Sequence, residues 1–338
     1  MYYPEIVQGG RETKKKKIKT KNLNIKILAK KSNDNSNLAI LTPVDESVEI
    51  LQREHKSKTE NEEKKDSILP VEVCAEMQKQ LSLLCKNRNL KDGVDYLLVK
   101  GDDRVIELTS DFKYEFEHGV YLLGKNVTLT CGKNKEDDKG RLILHCSHLF
   151  IGQTCNINCN ELGYKADQGP GCGKLVVGMS SSGSGAGHGK PGKGAGEWIG
   201  SGGGATYGDK TLEKLDFGSG GGSYTQRNGY IASGGAGGGI LDITVTDQML
   251  NLGEIQANGA NGKKHSPNVG GGGGSGGSIR IKLTNNTFKH KLGKISCEGG
   301  KGGGKWSGDG GQGRIAIYGV TPTTIDPQSI AGALYVHK

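Results

Sequence analysis

Two short alternating apolar segments, each pair followed by a glycine run, recur between residues 234 and 318, and this repeat constrains the fold most strongly. The first segment, at 241–245, recurs 38 residues later, and the second, at 255–259, recurs 40 residues later. A third copy opens at 315–318. Alternation with a period of two places every second side chain on one face of a strand. One such unit cannot bury that face by itself, so the copies are expected to stack.

An earlier copy of the same unit lies upstream, with segments at 142–146 and 157–160. A glycine-rich insertion, 163–239, separates it from the later copies. Residues 163–313 hold 47 of the 58 glycines. Because glycine lets backbones approach closely, we expect these loops to lie as extended, polyproline-like layers held by backbone hydrogen bonds.

The N-terminal region is strongly charged. Residues 1–31 contain ten Lys or Arg against two Glu, and residues 45–66 carry both signs with few apolar residues. Such a composition predicts disorder over 1–66. The basic block reads either as a solvated tail or as a nuclear-import or anionic-surface tether. The sequence lacks a signal-peptide pattern at its start and an apolar run of ~18 residues, which favours an intracellular protein without a transmembrane segment.

The pattern divides the chain into four parts. These are a disordered tail at 1–66, a capping-helix region at 67–92 with its helix at 70–87, a β-rich region at 93–320, and a C-terminal tail at 321–338. Pro at the first turn and apolar residues three and four apart support the helix. Further strands are predicted at 94–99, 104–108, 120–123 and 127–130.

The eight cysteines leave three alternatives open. Cys155 and Cys159 are the one pair whose spacing fits a zinc site, and an even count also fits disulfides. Cys159 and Cys297 occupy the repeat position of Ala257, which favours small, buried, reduced core residues.

Other motifs give weak chemical signals. The run at 187–194 resembles a phosphate-binding loop but lacks the Ser or Thr after its Lys. Asp242 is one acid opposite Arg280, whereas polysaccharide cleavage needs clustered carboxylates or a calcium site. No Arg-Gly-Gly triplet occurs, which argues against RNA binding. We therefore predict no catalytic residue, no metal ligand, no cofactor and no nucleic-acid partner.

Five aromatic residues lie among the glycine-rich loops and are the candidate ligand-binding residues. Aromatic faces flanked by glycine can stack on a sugar or on another protein. The alternative is that they pack the loops onto the rest of the fold. The five are Trp198, Tyr207, Tyr224, Tyr230 and Trp306.

The order of several small motifs resembles a known repeat family. Residues 157–164 and 169–171 are similar to the opening of a glycine-rich parallel β-helix repeat, and the runs at 218–222 and 270–278 and the closing 313–318 continue the likeness. That family, with a pectin-lyase-like fold, occurs in bacterial adhesin-like surface proteins and in large protist proteins. The resemblance covers roughly residues 140–320. It implies a right-handed parallel β-helix and an extracellular setting, but no settled activity.

The sequence thus predicts a mainly β chain, a right-handed parallel β-helix or solenoid with long glycine-rich loops, preceded by a short helix and a disordered N-terminal tail. The leading functional hypothesis is a non-enzymatic structural, adhesive or interaction module that binds a glycan or a protein through its loops. The alternatives are a carbohydrate-active enzyme on the same scaffold and an intracellular scaffold tethered by its basic tail.

Overall fold

The computed structural model describes residues 26–29, 75–87, 89–174, 176–177, 182–196, 202–225, 229, 231–285, 287 and 289–338. Within them the chain is mainly β, with parallel sheets and almost no helix, and no closed barrel forms. The helix α1 spans Ala75–Lys86, and two 3₁₀ turns span Pro322–Thr324 and Pro327–Ser329. The strands are β1 (Lys26–Ala29), β2 (Leu97–Val99), β3 (Arg104–Leu108), β4 (Lys113–Phe116), β5 (Val120–Leu122), β6 (Thr128–Cys131), β7 (Arg141–Ile151), β8 (Asn156–Asn158), β9 (Val176–Val177), β10 (Tyr224–Thr225), β11 (Ile231–Ala232), β12 (Ile240–Asn251), β13 (Glu254–Gln256), β14 (Ser278–Leu283), β15 (Lys294–Ser296), β16 (Arg314–Tyr318), β17 (Ile330–Ala331) and β18 (Ala333–His337).

Two large sheets carry the fold, and the chain passes repeatedly from one to the other. The seven-stranded sheet has the order β1-β3-β6-β8-β13-β15-β17. The eight-stranded sheet has the order β18-β16-β14-β12-β7-β5-β2, and β4 also pairs with β7. Both sheets contribute side chains to one main core. A small sheet, β11-β10-β9, lies within the glycine-rich insertion.

The copies of the repeat are adjacent parallel strands in register. Ile243 pairs with Ile281, and Ile281 pairs with Ile317. The earlier copy continues the same column, since Leu144 pairs with Ile243. All four side chains are completely buried in the main core. The prediction that 241–245, 279–283 and 315–317 stack and share an interior is therefore confirmed, because alternation puts their apolar side chains on the same face.

The second segment of each copy forms a matching column in the seven-stranded sheet. Cys159, Ala257 and Cys297 are each completely buried in the core, and none of the described cysteines forms a disulfide. The Cys159 sulfur lies 3.5 Å from the Cys131 sulfur. Burial raises the pKa of both the Cys159 and the Cys297 thiols. The two cysteines thus act as small core residues, as their repeat position predicts.

We expect Cys297→Ala to lower the free energy of unfolding by about 1 kcal/mol, because it removes one buried sulfur and leaves only a small cavity. Chemical denaturation of both proteins measures this. A much larger loss, or loss of a bound metal ion detected by elemental analysis, would contradict a purely packing role.

The helix lies against the outside of the eight-stranded sheet. Leu81 and Leu84 belong to a second apolar cluster with Tyr121, Phe150 and Leu250, which lie on three successive strands. The helix, Ala75–Lys86, lies within the range 70–87 that the sequence predicts. The helix therefore covers a face of the sheet, whereas the sequence suggested a cap over an open end.

Both ends of the chain contain strands that the sequence did not indicate. Most of 1–66 lies outside the described residues, but β1 pairs antiparallel with β3, with Ile27 opposite Ile106. The segment 321–338, taken from the sequence as a tail, contributes β17 and β18 as the last strands of the two sheets. These strands were missed because β17 is two residues long and because proline and glycine interrupt the apolar pattern around it.

Candidate functional site

The glycine-rich loops form a layer of hydrogen-bonded segments with segment 270–277 at its centre. Gly271, Gly274 and Gly277 all donate their N–H groups to one neighbour, 257–263. The intervening residues donate to other neighbours, so the direction of the bonds repeats every third residue. This is the period of an extended threefold conformation such as polyproline II. The bonding agrees with the expected extended, polyproline-like layers.

Six other segments surround the central one. Every backbone N–H and C=O from Gly271 to Gly277 has a hydrogen-bond partner in one of them. Backbone bonds of this kind commonly protect a segment from local opening. The six partners lie in 183–188, 219–222, 235–238, 257–263, 300–303 and 308–314.

Glycine is required here because the segments touch backbone to backbone. A Cβ on Gly273 would lie 1.9 Å from the carbonyl oxygen of Gly300, and one on Gly276 would lie 2.0 Å from that of Cys297. Neither neighbour is a side chain that can turn away. The glycine content is therefore a packing requirement of this layer, not a sign of loose loops.

A covering segment, 207–217, lies against strands β14 and β16 and is held by their polar side chains. Arg314 donates two hydrogen bonds, of 2.9 and 2.7 Å, to the Tyr207 carbonyl. Arg280 donates to the carbonyl of Leu212 at 2.9 Å, and the Tyr318 hydroxyl donates to that of Thr211. These outward-facing residues of the sheet therefore anchor a loop, which their alternation in the sequence does not reveal.

Asp242, the acid singled out in the sequence, forms a two-pronged ion pair with Arg280. The Arg280 Nε and Nη2 atoms lie 2.8 and 2.6 Å from the two carboxylate oxygens, and Asp242 is almost fully buried. This pairing raises the pKa of Arg280. Both oxygens of Asp242 are thus engaged in holding its neighbour.

Tyr207 is half-buried at the start of the covering segment, and its side chain contacts the glycine layer. Its hydroxyl donates to the Phe217 carbonyl and accepts a 2.9 Å bond from Ser219. Its ring stacks on His188, with ring centroids 4.6 Å apart. Burial raises the pKa of the Tyr207 hydroxyl. Its observed contacts pin the loop in place.

His188 is the one histidine that is completely buried among the described residues. Its Nδ1 lies 2.9 Å from the Gly276 carbonyl oxygen, so Nδ1 carries the proton and donates it. Its Nε2 has no hydrogen-bond partner among the described residues. Burial, with a further contribution from Arg314, lowers the pKa of His188 to about 4. The ring is therefore held neutral inside the layer.

Two of the five candidate ligand-binding residues form a small satellite core. Tyr224 is 2% exposed and packs with Ala232 and Val269, and the partly buried Trp306 packs against this cluster. The Trp306 backbone donates to the Asn268 carbonyl at 2.9 Å. Two more candidates, Trp198 and Tyr230, lie outside the described residues. A ligand-binding role for the five stays a prediction, while three of them have visible packing partners.

Other chemistry-bearing groups do not converge. Within the described part of the chain, no group of three or more His, Cys, Asp or Glu side chains is placed to hold a metal ion. No helix of that part has the length and apolarity needed to cross a bilayer. Comparison of the chain with protein-family models, with curated proteins and with solved structures finds no match.

Proposed function

We propose that this protein is a non-enzymatic structural and interaction module built as a right-handed parallel β-helix. Two observations support the β-helix. The chain alternates between two parallel sheets, and aliphatic columns run through successive strands in register. A stack of this kind offers a long, regular surface rather than a closed catalytic cleft.

The glycine layer is the observation that carries the proposal. All the backbone groups of 271–277 are bonded within it, so the loops form a rigid body packed beside the sheets. A preformed surface binds a partner without the entropic cost of ordering flexible loops. We infer that the layer presents its outer residues to a glycan or to a protein.

Lysine side chains at the surface of the layer suit this role. Lys193 and Lys301 approach the same carboxylate, that of Asp309, at 2.9 and 3.7 Å. Both lysines are mostly exposed. Two cations share one acid, which leaves a local positive excess and favours an anionic partner surface.

A paired substitution tests the proposal with full-length protein and an immobilised panel of neutral and anionic polysaccharides. We expect Lys193→Ala combined with Lys301→Ala to weaken binding to the anionic members while leaving the melting temperature within a degree or two. Lys100→Ala, an exposed lysine near β2, is the matched control. Binding to no panel member would contradict a glycan-binding role, and unchanged binding in the pair would contradict this surface.

The aromatic candidates are tested separately. We expect Trp306→Ala to cost about 2 kcal/mol in stability, because it opens the satellite core around Tyr224. Trp198→Ala tests the ligand role directly. If Trp306→Ala weakened polysaccharide binding while its melting temperature stayed unchanged, the packing role for Trp306 would be wrong.

Two alternatives have less support. A carbohydrate-active enzyme on this scaffold needs a free acid, whereas both Asp242 oxygens are bonded to Arg280. Assay of polysaccharide cleavage by the full-length protein tests it. An intracellular scaffold tethered by the basic tail depends on 1–31, most of which lies outside the described residues, and deletion of those residues tests it.

A further inference from the structure

The edge strands at one end of the two large sheets are consecutive in the chain. Strand β17 is the edge of the seven-stranded sheet, and β18 is the edge of the eight-stranded sheet. Among the described residues, neither edge has a further strand beside it. Edge strands with free N–H and C=O groups readily pair with another strand. The opposite edge of the seven-stranded sheet carries the antiparallel strand β1, so the two ends of that sheet differ.

The apolar columns of the core reach the surface at this end. Leu334 pairs with Ile315, and Val336 pairs with Ile317. Ile315 and Ile317 are completely buried, whereas Leu334 is 40% exposed and Val336 is only partly buried. The last layer of the core therefore lacks the cover that each earlier layer receives from the next strand.

The free hydrogen-bonding groups of β18 are identifiable from its pairing. Ala333 donates to the Gly313 carbonyl, and the His337 carbonyl accepts from Gly319, so both residues point their backbone toward β16. Backbone direction alternates along a strand. Leu334 and Val336 consequently direct their N–H and C=O groups outward, away from the sheet.

We propose that β18 is a dimerisation edge, on which a second copy of this chain pairs antiparallel about Tyr335. In that register Leu334 of each copy lies opposite Val336 of the other. These are the two residues whose backbone groups face outward, and residues directly opposite in an antiparallel pair can exchange both hydrogen bonds. The symmetry thus satisfies all four free groups of each edge at once.

The composition of the edge favours a second copy over an unrelated partner. Edge strands that avoid self-pairing usually carry Lys or another charge. From Ala333 to Val336 the strand has no charged side chain, so no like charges face each other at the two Leu334–Val336 pairs, and His337 and Lys338 lie beyond these pairs. A second copy also brings the neighbouring end of β17, and with it Ile330, against its counterpart, which covers the open core layer.

Sedimentation equilibrium on the full-length chain tests the dimer, using the wild type and two edge variants. Val336→Pro removes one outward N–H without touching the bonds to β16, and proline is tolerated where a strand N–H faces solvent. Leu334→Lys places a charge at the pairing site. We expect a dimer in the wild type, and a dissociation constant about 100-fold higher in each variant. Ile231→Lys, at another exposed apolar residue away from this edge, is the matched control.

The melting temperature and circular dichroism of each variant show whether the monomer is still folded. A folded Val336→Pro monomer beside a dimeric wild type and a dimeric Ile231→Lys supports the proposal. A wild type that remains monomeric at about 100 μM overturns the dimer proposal. This holds even if hydrogen exchange shows that another segment of the same chain protects Leu334 and Val336. A dimer that both edge variants leave unchanged also overturns it.

Discussion

Gly273→Ala is expected to destabilise the protein by about 3 kcal/mol or more, at the upper end of what one added methyl group costs in a packed interior. The new Cβ would lie 1.9 Å from the Gly300 carbonyl oxygen and close to the Gly310 backbone nitrogen. Both are backbone atoms, and they are hydrogen-bonded to each other, since the Gly310 N–H donates to the Gly300 carbonyl. Relief therefore requires separating two segments and breaking the hydrogen bonds between them. Urea denaturation of the wild type and the variant measures the loss.

Gly202→Ala is the matched control, because a Cβ there meets no atom within 4 Å. The same chemical change is expected to be neutral or slightly stabilising, since alanine restricts the unfolded chain more than glycine does. Equal effects at the two positions would mean that the layer is loose in solution and that its glycines serve flexibility.

The second large effect is a loss of stability in mild acid that depends on His188. The pKa of His188 is about 4 in the folded chain, below its ordinary value of 6.5. The unfolded chain therefore takes up a proton on this ring at a pH where the folded chain does not. The neutral ring therefore contributes to the free energy of unfolding. This contribution is fully present above pH 6.5 and is lost as the pH falls from 6.5 toward 4. It amounts to about 3 kcal/mol for a shift of this size.

Desolvation is the largest influence on the pKa of His188 and lowers it, and the positive charge of Arg314 lowers it further. The hydrogen bonds to the Gly276 and Gly277 backbone and the charge of Asp216 act in the opposite direction. The Tyr207 ring stacked on His188 keeps water away.

Comparing how the free energy of unfolding depends on pH in the wild type and in His188→Phe separates the effect of this ring from that of other titrating groups. Stability of the wild type and the variant is measured by urea denaturation between pH 7 and pH 4. We expect the variant to lose less stability than the wild type over this range, whatever its stability at pH 7. Parallel curves for wild type and His188→Phe would show that water reaches the ring.

The strands of the repeat were predictable because each carries its own evidence. Alternation at 241–245 and 279–283 identifies both the strand and its buried face, and the similar spacing of the copies indicates which strands are neighbours. Cys159 and Cys297 were assigned to the core in the same way, from the position they share with Ala257. Period-two burial is a local property, and a single sequence displays it directly.

The candidate site was less predictable because its contacts join residues far apart in the chain. In the sequence His188 is a single histidine within a glycine-rich stretch. In the structure it hydrogen-bonds the Gly276 carbonyl and stacks on the Tyr207 ring. The sequence indicates only that Arg280 and Arg314 are polar residues in or beside strands. In the structure both donate hydrogen bonds to carbonyl groups of the covering segment. Tyr224 and Trp306 are predicted candidates for ligand contact, and that role stays a prediction, while the structure shows both of them in a satellite core.

The sequence by itself determined which segments are strands, which of their faces are apolar and where glycine permits close approach. Each of these follows from side-chain size and from period, which are properties of short stretches. Only the tertiary structure decided which six segments surround 270–277, where the edges at β17 and β18 lie and which polar side chains anchor the loops. Backbone hydrogen bonds between distant glycines carry no side-chain signature, so no pattern along the chain identifies their partners.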